Sequence, residues 1–377
     1  MNKKLVFFGG TFDPPHVEHY QMVKECINEL SPDKIIIMPT FIPPHKQTFM
    51  VASAKDRLKM CEEAFGSLPT VEVSDWELKQ KGKSFSYITM QYLASNYPDY
   101  KIYFLMGTDM LSSFDKWKNP TEILKYATPL LCERTGEGEK ATKTVDDFKK
   151  KFQSDVETLS YVGKDLSSTE IKIKNLLKMN LTNEVLPSVN RLIDRLSLYS
   201  CGNLADFTVE NLTENRIEHT KGVISLALKY AKIQGVNLKK TLISALLHDV
   251  AKYLNPSDYK DFKMPKGVPQ PVVHQYLGAY VAEKVLGVKD KEIIRAIRYH
   301  TSAKPNMSKL GKIIFTADML EEGRTYDGVD QMREISFKDF EKGFVLSLKR
   351  SLEYIKIRGV EIYPLTQKAY EYYTRRK

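Results

Sequence analysis

Residues 5–19 read Leu5-Val6-Phe7-Phe8-Gly9-Gly10-Thr11-Phe12-Asp13-Pro14-Pro15-His16-Val17-Glu18-His19, and the first half of the chain is organised around them. A short apolar run, typical of a buried strand, stops at two glycines and turns through two prolines. The segment that follows carries two histidines three residues apart, a spacing that places both on one face of a helix. The stretch therefore predicts a strand, a tight loop and a helix start.

The predicted loop suits a phosphate group. Glycine lets backbone N–H groups approach an anion closely, and the start of a helix adds a favourable dipole. Two neighbouring imidazoles can donate hydrogen bonds to phosphate oxygens while charge develops during phosphoryl or nucleotidyl transfer. The alternative is an ordinary turn with surface histidines, and the whole string together favours the phosphate site. The candidate residues in this stretch are Gly9, Gly10, Thr11, Phe12, Asp13, His16 and His19.

Length and composition predict two domains and anionic ligands. The chain has 377 residues, 42% of them hydrophobic, and a formal net charge of +10. The basic residues are dispersed rather than interleaved with aromatic residues in a stripe, so nucleotides are better candidates than nucleic acid. The four cysteines have no paired spacing, which predicts reduced thiols. No apolar run approaches the ~18 residues of a membrane span, so we expect a cytoplasmic protein with no membrane partner.

Strands and helices alternate through the first half, which predicts an α/β domain with a doubly wound, Rossmann-like parallel sheet over residues 1–200. Residues 34–39, 70–73 and 101–106 have the apolar, β-branched composition of buried strands, and residues 52–65 have helical periodicity. A polar loop is predicted at 75–86. Ligands of such sheets bind at the carboxyl ends of the strands. Loops that follow the strands are therefore expected to converge on one site.

Four further motifs are candidates for that site. Pro43-Pro44-His45-Lys46 is a stiff loop that carries the cationic side chain of Lys46. Gly107-Thr108-Asp109 ends a strand with a carboxylate that can accept a hydrogen bond from a ribose hydroxyl. Trp117 is either a core residue or a ring that stacks on a base or pyridine. Ser167-Ser168-Thr169 is either a helix cap or a second cradle for ATP phosphates.

These motifs resemble those of the bacterial nicotinate mononucleotide adenylyltransferases, whose signature GTFDPPHxGH matches residues 10–19 apart from Glu18 in place of glycine. Lys172 stands where that family prefers arginine. The resemblance implies ATP and nicotinate mononucleotide as substrates. It also implies that Lys46 meets phosphate, Asp109 holds the nucleotide and Trp117 stacks on the nicotinate ring. The residues it assigns to ATP are His16, His19, Ser167, Ser168 and Thr169.

The resemblance implies in-line attack of the mononucleotide 5′-phosphate on the α-phosphorus of ATP, with pyrophosphate leaving. The attacking group is already an anion, so no general base is needed. Catalysis then consists of positioning and charge stabilisation, with Mg²⁺ on the polyphosphate. Phosphopantetheine or glycerol phosphate as the acceptor remains an alternative, with adenylate or cytidylate as the group transferred.

The second half, 201–377, is predicted to be an all-α domain with inward-facing ligands. His219 shares a helical face with apolar residues, and Asp249 falls in line with Leu242, Ala245 and Leu246. A single histidine on an apolar face is usually a satisfied core residue. Several unpaired buried polar groups would each cost roughly 1–3 kcal/mol, so a metal is the better partner. The candidate ligands are His219, His248, Asp249, His274, His300 and Asp318.

The ligand atoms of these candidates limit which metal ions can bind. Nitrogen and oxygen ligands without thiolate suit iron, manganese or zinc. Six ligands exceed the needs of one catalytic ion, which favours two ions bridged by Asp249. A pair of ions of this kind activates water and clamps phosphate oxygens.

The second half resembles the HD-domain metal phosphohydrolases, named for the adjacent pair His248-Asp249. The stretches 247–252, 297–301 and 317–324 are similar to the bacterial symmetrical diadenosine tetraphosphate hydrolases of that superfamily. The resemblance implies a di-iron centre that cuts diadenosine tetraphosphate into two ADP. Lys252 and Arg324 follow the ligands directly and are candidates for phosphate contacts. A nucleotide sensor or another nucleotide phosphohydrolase remains the alternative, and a homo-oligomer is compatible with the sequence.

Overall fold

A computed structural model of the protein describes residues 3–41, 50–80, 82 and 84–375. The chain divides into two compact units. The first comprises Met1–Lys172 and Asn180–Tyr199, and the second comprises Ile173–Met179 and Ser200–Lys377. All four cysteines are free thiols. None of the helices in the described ranges is both long enough and apolar enough to cross a bilayer.

The first unit is built on a six-stranded, fully parallel sheet in the order β3-β2-β1-β4-β5-β6. The order reverses between β1 and β4, which is the doubly wound arrangement predicted from the alternating elements. The strands are β1 Lys3–Gly10, β2 Lys34–Pro39, β3 Val71–Val73, β4 Tyr100–Gly107, β5 Ala127–Arg134 and β6 Glu157–Gly163. The helices are α1 Val17–Leu30, α2 Ala54–Phe65, α3 Trp76–Lys79, α4 Ser86–Asn96, α5 Thr108–Ser112, α6 Pro120–Leu124, α7 Gly138–Phe152, α8 Ser168–Leu176 and α9 Pro187–Arg195, with a 3₁₀ turn at Phe114–Lys116. α8 begins in this unit, and its residues from Ile173 onward belong to the second.

Both faces of this sheet are buried, because helices cover each side of a doubly wound sheet. Val6 and Phe8 of β1 belong to one hydrophobic cluster, and Leu5 and Phe7 belong to the other. The continuous apolar run of β1, without alternation, follows from this double burial. Gly9 and Gly10, which end β1, therefore lie at the edge of the sheet where the strands end.

The polar loop predicted at 75–86 is wrong in its first part, because α3 forms there. Trp76 stacks on Tyr92 with ring centroids 4.1 Å apart. The carboxylate of Glu77 is buried and accepts a hydrogen bond of 2.7 Å from the Thr89 hydroxyl. These contacts come from residues distant in sequence, so local polarity did not reveal the helix.

The second unit is helical, and within its described residues no strand occurs. α11 packs against α12 and α15, and α14 packs against α12, α13 and α15. The helices are α10 Asn203–Asn211, α11 Glu214–Gln234, α12 Leu238–Leu247, α13 Val273–Tyr280, α14 Lys291–Arg298, α15 Lys309–Leu320, α16 Val329–Lys338, α17 Phe340–Ile357 and α18 Pro364–Thr374. Short 3₁₀ turns lie at Pro256–Asp258 and Gln270–Val272, and a π-helical turn at Val281–Val285. The predicted fold class, an α/β unit followed by an all-α unit, is confirmed.

Candidate functional sites

The first site lies where β1 and β4 end side by side. These strands are paired in parallel, with Phe7 opposite Phe104, so the loops that follow Gly10 and Gly107 leave the same edge of the sheet. The strand order reverses at this pair of strands. In doubly wound sheets the crevice at such a reversal is where ligands bind.

His16 and His19 form a reciprocal cap at the start of α1. Nδ1 of His16 accepts a hydrogen bond from the backbone N–H of His19 at 3.4 Å, and Nδ1 of His19 accepts from the backbone N–H of His16 at 3.2 Å. The two rings stack with centroids 3.6 Å apart. Because Nδ1 is an acceptor in both rings, the ring proton of each neutral imidazole is on Nε2. The cap therefore sets both Nε2–H groups as donors, the polarity that phosphate oxygens require.

The predicted placement of both histidines on one helical face is wrong for His16. His16 has an extended backbone and is the N-cap, and His19 is the third residue of the helix. The four N–H groups at a helix start lack partners within the helix, and the two side chains satisfy some of them. The spacing of three residues is that of a capping box, which is the sequence signal that predicts this arrangement.

A buried arginine that was not predicted from the sequence supports the loop after β1. Arg57 is 2% exposed and donates from Nη1 to the carbonyl oxygen of Thr11 at 2.8 Å and from Nη2 to that of Phe41 at 3.2 Å. Burial lowers the pKa of Arg57, and the nearby carboxylate of Asp13 opposes that effect. The guanidinium ties the loop after β1 to the start of the loop after β2.

Asp13 is buried under the loop with both carboxylate oxygens engaged. Oδ1 accepts from the Tyr199 hydroxyl at 2.8 Å and from the Ala52 N–H at 3.0 Å, and Oδ2 pairs with Nζ of Lys172 at 3.0 Å. Burial and the charge of Asp13 raise the pKa of Tyr199 well above its usual range. Asp13 and Lys172 thus hold the loop in shape, and the contact between Asp13 and ATP stays a prediction.

Replacing Lys172 by methionine is expected to destabilise the first unit by about 3–5 kcal/mol, because the substitution leaves the buried charge of Asp13 without its partner. The measurement is urea unfolding followed by far-UV circular dichroism. Lys34→Met is the matched control, since Lys34 pairs with Glu72 at the surface and such pairs contribute about 0–1 kcal/mol. Equal effects of the two substitutions would contradict the structural role of Lys172.

The start of α8 lies beside the loop after β1. The Ser168 hydroxyl donates to the carbonyl oxygen of Pro14 at 3.1 Å, and Oγ of Ser167 accepts from the Thr169 N–H at 3.2 Å. Glu18 is 8% exposed, and its Oε2 accepts from the Tyr161 hydroxyl and the Lys164 N–H, both at 2.8 Å. The carboxylate that replaces the signature glycine is therefore engaged with β6 and with the residue that follows it.

The remaining predicted residues of this site are placed as follows. Asp109 lies in the first turn of α5, exposed, with Oδ1 3.6 Å from Nη2 of Arg134. Trp117 is half-buried, with its ring 5.1 Å from that of Phe114, so the core interpretation accounts for part of its surface. His45 and Lys46 lie outside the described residues.

The second site brings together all six predicted ligands. Its side chains form two groups of three. Within each group the ligand atoms all lie within 4.8 Å of one another, so each group could hold a metal ion. In the first group, Nε2 of His219 lies 3.1 Å from Oδ1 of Asp318 and 3.3 Å from Nε2 of His248. In the second, Oδ1 of Asp249 lies 3.1 Å from Nε2 of His274 and 3.4 Å from Nε2 of His300. Oδ2 of Asp249 lies 3.6 Å from Nε2 of His248, which places Asp249 between the groups.

Asp249 and His300 are not on helical faces as predicted, because α12 ends at Leu247 and α14 ends at Arg298. Nδ1 of His248 lies 2.7 Å from the carbonyl oxygen of Ala245, and Nδ1 of His300 lies 2.7 Å from that of Ile297. A carbonyl oxygen can only accept, so each imidazole donates its Nδ1–H at the end of its helix. Nε2 of each ring then carries the lone pair that faces the cluster.

The electrostatics of the cluster fit a cation. Burial lowers the pKa of His248 to about 3, so this ring is neutral at pH 7 and can act as a ligand. Burial raises the pKa of Asp249, but the neighbouring His248, His274 and His300 lower it well below its usual value, so Asp249 is ionised. Facing lone pairs of nitrogen and carboxylate oxygen repel without a cation between them. The donor set therefore fits divalent metal ions, and no thiolate contributes to either group.

Three cationic side chains surround the cluster. Nη1 of Arg216 lies 2.9 Å from Oδ2 of Asp249, Nζ of Lys252 lies 3.4 Å from Nε2 of His274, and Nη2 of Arg324 lies 2.8 Å from Oδ1 of Asp318. Lys252 and Arg324 thus lie at the predicted centre. Arg216 was missed, although its position one helical turn before His219 on α11 is a readable signal. The Thr301 hydroxyl, 3.0 Å from Nε2 of both His274 and His300, was also missed.

Removal of metal with a chelator is expected to lower the free energy of unfolding of the second unit. A divalent ion that binds only the folded state at a hundred times its dissociation constant contributes about 2.7 kcal/mol per site. The measurement is thermal unfolding of metal-free protein before and after addition of Mn²⁺. An unfolding transition that does not move in either direction would contradict the metal assignment.

Both halves match known families. The family model described as cytidylyltransferase-like matches residues 7–174, and that of the HD domain matches residues 216–323. A Mycoplasma genitalium protein named as a probable nicotinate-nucleotide adenylyltransferase/Ap4A hydrolase is 28% identical over 365 residues, which cover 93% of this chain and 98% of that protein.

Relatives of each half alone are more similar. A probable nicotinate-nucleotide adenylyltransferase of Clostridium novyi is 32% identical over 198 residues, covering 52% of this chain and 99% of that protein. The symmetrical bis(5′-nucleosyl)-tetraphosphatase of Bacillus subtilis is 32% identical over 170 residues, covering 43% of this chain and 91% of that protein. Both resemblances drawn from the motifs are confirmed. The chain belongs to the nicotinate-nucleotide adenylyltransferase family in its first half and to the HD-domain symmetrical bis(5′-nucleosyl)-tetraphosphatase family in its second.

Proposed function

We propose that the protein is a bifunctional enzyme. The first unit transfers the adenylyl group of ATP to nicotinate mononucleotide, giving nicotinate adenine dinucleotide and pyrophosphate. The second unit hydrolyses diadenosine tetraphosphate to two ADP. The observation that carries the proposal is the presence, in one chain, of a capped histidine pair at the reversal of the parallel sheet and of two three-ligand groups in the helical unit.

In the first reaction, an oxygen of the mononucleotide 5′-phosphate attacks the α-phosphorus of ATP, and the bond to the bridging oxygen of pyrophosphate breaks. Nε2–H groups of His16 and His19 donate to the polyphosphate as negative charge shifts onto the leaving group. Ser167, Ser168 and Thr169 supply hydroxyl and amide donors at the start of α8, beside Pro14. Mg²⁺ accompanies ATP. Lys46 contacts phosphate, Asp109 holds the nucleotide, and Trp117 stacks on the nicotinate ring.

In the second reaction, His219, His248 and Asp318 would hold one divalent ion, and His274, His300 and Asp249 a second, with iron as the proposed metal. Such a pair supplies an activated water and a clamp for phosphate oxygens. The cationic groups of Arg216, Lys252 and Arg324 surround the same cluster, where they can neutralise the tetraphosphate. Cleavage between the second and third phosphates consumes one water and leaves ADP on both sides.

The test is product analysis of purified, anaerobically iron-loaded protein. We expect ADP as the sole nucleotide product from diadenosine tetraphosphate, and dinucleotide with pyrophosphate from ATP and nicotinate mononucleotide. Phosphopantetheine and glycerol phosphate, the latter with CTP, are offered in competition. Preference for either acceptor would overturn the first assignment. Metal binding without cleavage of any phosphate anhydride or ester would make the second unit a nucleotide sensor.

A further inference from the structure

Glu321 lies behind the metal cluster with both carboxylate oxygens engaged. It follows α15 directly and is 4% exposed. Oε1 lies 3.1 Å from Nδ1 of His219, on the side of the ring away from Asp318, and Oε2 accepts from the Gly323 N–H at 2.6 Å. The carboxylate is therefore fixed at one end by the backbone and meets a candidate metal ligand at the other.

His219 needs a partner of this kind because of its place in the helix. Among the cluster histidines, His248 and His300 follow the last turns of α12 and α14 and direct Nδ1 to carbonyl oxygens there. His219 lies within α11, Glu214–Gln234, where the backbone carbonyls are already paired in the helical ladder. The ring must find its Nδ1 acceptor on another element, and Glu321 is that acceptor.

A glycine makes room for the carboxylate. Gly222 lies one turn after His219 on α11, and a Cβ added there would collide with Oε2 of Glu321 and lie 3.1 Å from its Cδ. Glycine inside a helix costs about 0.5–1 kcal/mol relative to alanine. The helix alone would favour alanine at this position. The space that Gly222 leaves is filled by the group that orients His219.

We propose that Glu321 is a positioning residue for the metal ligand His219, and that Gly222 is the space it requires. The carboxylate accepts the Nδ1–H of His219, which fixes the ring orientation and keeps the Nε2 lone pair toward Asp318 and His248. Carboxylate partners of metal-bound histidines also strengthen the ligand, and their loss weakens metal affinity by about 10–100-fold. The inference rests on the proposed metal centre but not on the identity of the substrate.

Titration of the metal-free full-length protein with Mn²⁺, by calorimetry and electron paramagnetic resonance, tests this role. We expect wild type to bind two ions. Glu321→Ala should weaken one site about 10–100-fold and leave the other within about threefold. The affinity of that site in Glu321→Gln should lie between those of wild type and Glu321→Ala, because an amide oxygen still accepts from Nδ1–H. Gly222→Ala should weaken the same site although Glu321 itself is intact.

Glu322→Ala is the matched control, because Glu322 is the next residue in the chain and its exposed side chain pairs with Lys229 at the surface. It should leave both sites unchanged. Unchanged affinities in both the Glu321→Ala and Gly222→Ala proteins would overturn the inference while the metal centre stands. Equal loss at both sites, without rescue by glutamine, would assign Glu321 a general structural role and also overturn it. A wild type that binds no Mn²⁺ would instead overturn the proposed metal centre, and the inference with it.

Discussion

Replacing His248 by alanine is expected to abolish hydrolysis of diadenosine tetraphosphate and to leave adenylyl transfer within about twofold of wild type. His248 is fully buried, its Nδ1 is paired with the carbonyl oxygen of Ala245, and its Nε2 lies in the first ligand group. Loss of a ligand removes several kcal/mol of charge stabilisation at the reacting phosphate. A loss of about 4 kcal/mol corresponds to a fall of about a thousandfold in rate. Initial rates of ADP and dinucleotide formation measure both activities on one preparation.

Thr241→Ala controls for the loss of a buried side chain on the same helix. Thr241 lies on α12, is buried, and donates only to the carbonyl oxygen of Asn237 within its own helix. This variant should retain both activities. If His248→Ala lost both activities while its circular dichroism and unfolding transition matched those of Thr241→Ala, the two sites would not be independent.

The sheet was predictable because burial on both faces leaves a strong local signal. β2 covers the same six residues as the predicted strand, and β1 and β4 end at the glycines where the apolar runs stop. β5 and β6 gave no such signal. β6 alternates exposed and covered residues, Glu157–Gly163, and lies at the sheet edge, so its identity as a strand depends on pairing with β5.

The identity of the metal ligands was predictable from residue type, but their positions relative to the helix ends were less so. Their histidines and aspartates occur at helical spacing among apolar residues, which indicates inward-facing polar groups. The helix ends at Leu247 and Arg298 were not visible, because the residues that follow them are histidine and tyrosine rather than the glycine or asparagine that usually marks a helix end. Glu321 was missed since its role depends on a contact with α11, which is distant in sequence, whereas the spacing of Arg216 from His219 was a signal that could have been used.

The two sites have one feature in common, which is that a helix terminus sets the tautomer of a neutral imidazole ring. At α1 the rings accept backbone N–H groups through Nδ1, and Nε2 becomes a donor for phosphate. At the ends of α12 and α14 the rings donate Nδ1–H to backbone carbonyls, and Nε2 becomes an acceptor for metal. The polarity of the helix end therefore selects between an anion-binding and a cation-binding histidine.

Substitution of His16 can separate the stability of α1 from catalysis. Asparagine is a preferred N-cap residue, and its side-chain oxygen can accept the His19 N–H as Nδ1 of His16 does. It presents no imidazole Nε2–H to the polyphosphate. His16→Asn should therefore keep the free energy of unfolding within about 0.5 kcal/mol while kcat for dinucleotide formation falls by about 10²–10³, the loss typical of one oxyanion donor.

His16→Ala is the companion variant, since it removes both roles. It should lose a similar factor in kcat and, in addition, about 1 kcal/mol of stability, because the His19 N–H loses its cap. Steady-state kinetics with ATP and nicotinate mononucleotide and urea unfolding of both variants provide the comparison. If His16→Asn retained wild-type kcat, the imidazole would be only a cap, and stabilisation of the leaving pyrophosphate would have to come from other groups such as the α8 hydroxyls. If alanine and asparagine were equally unstable, the reciprocal cap would contribute nothing to the start of α1.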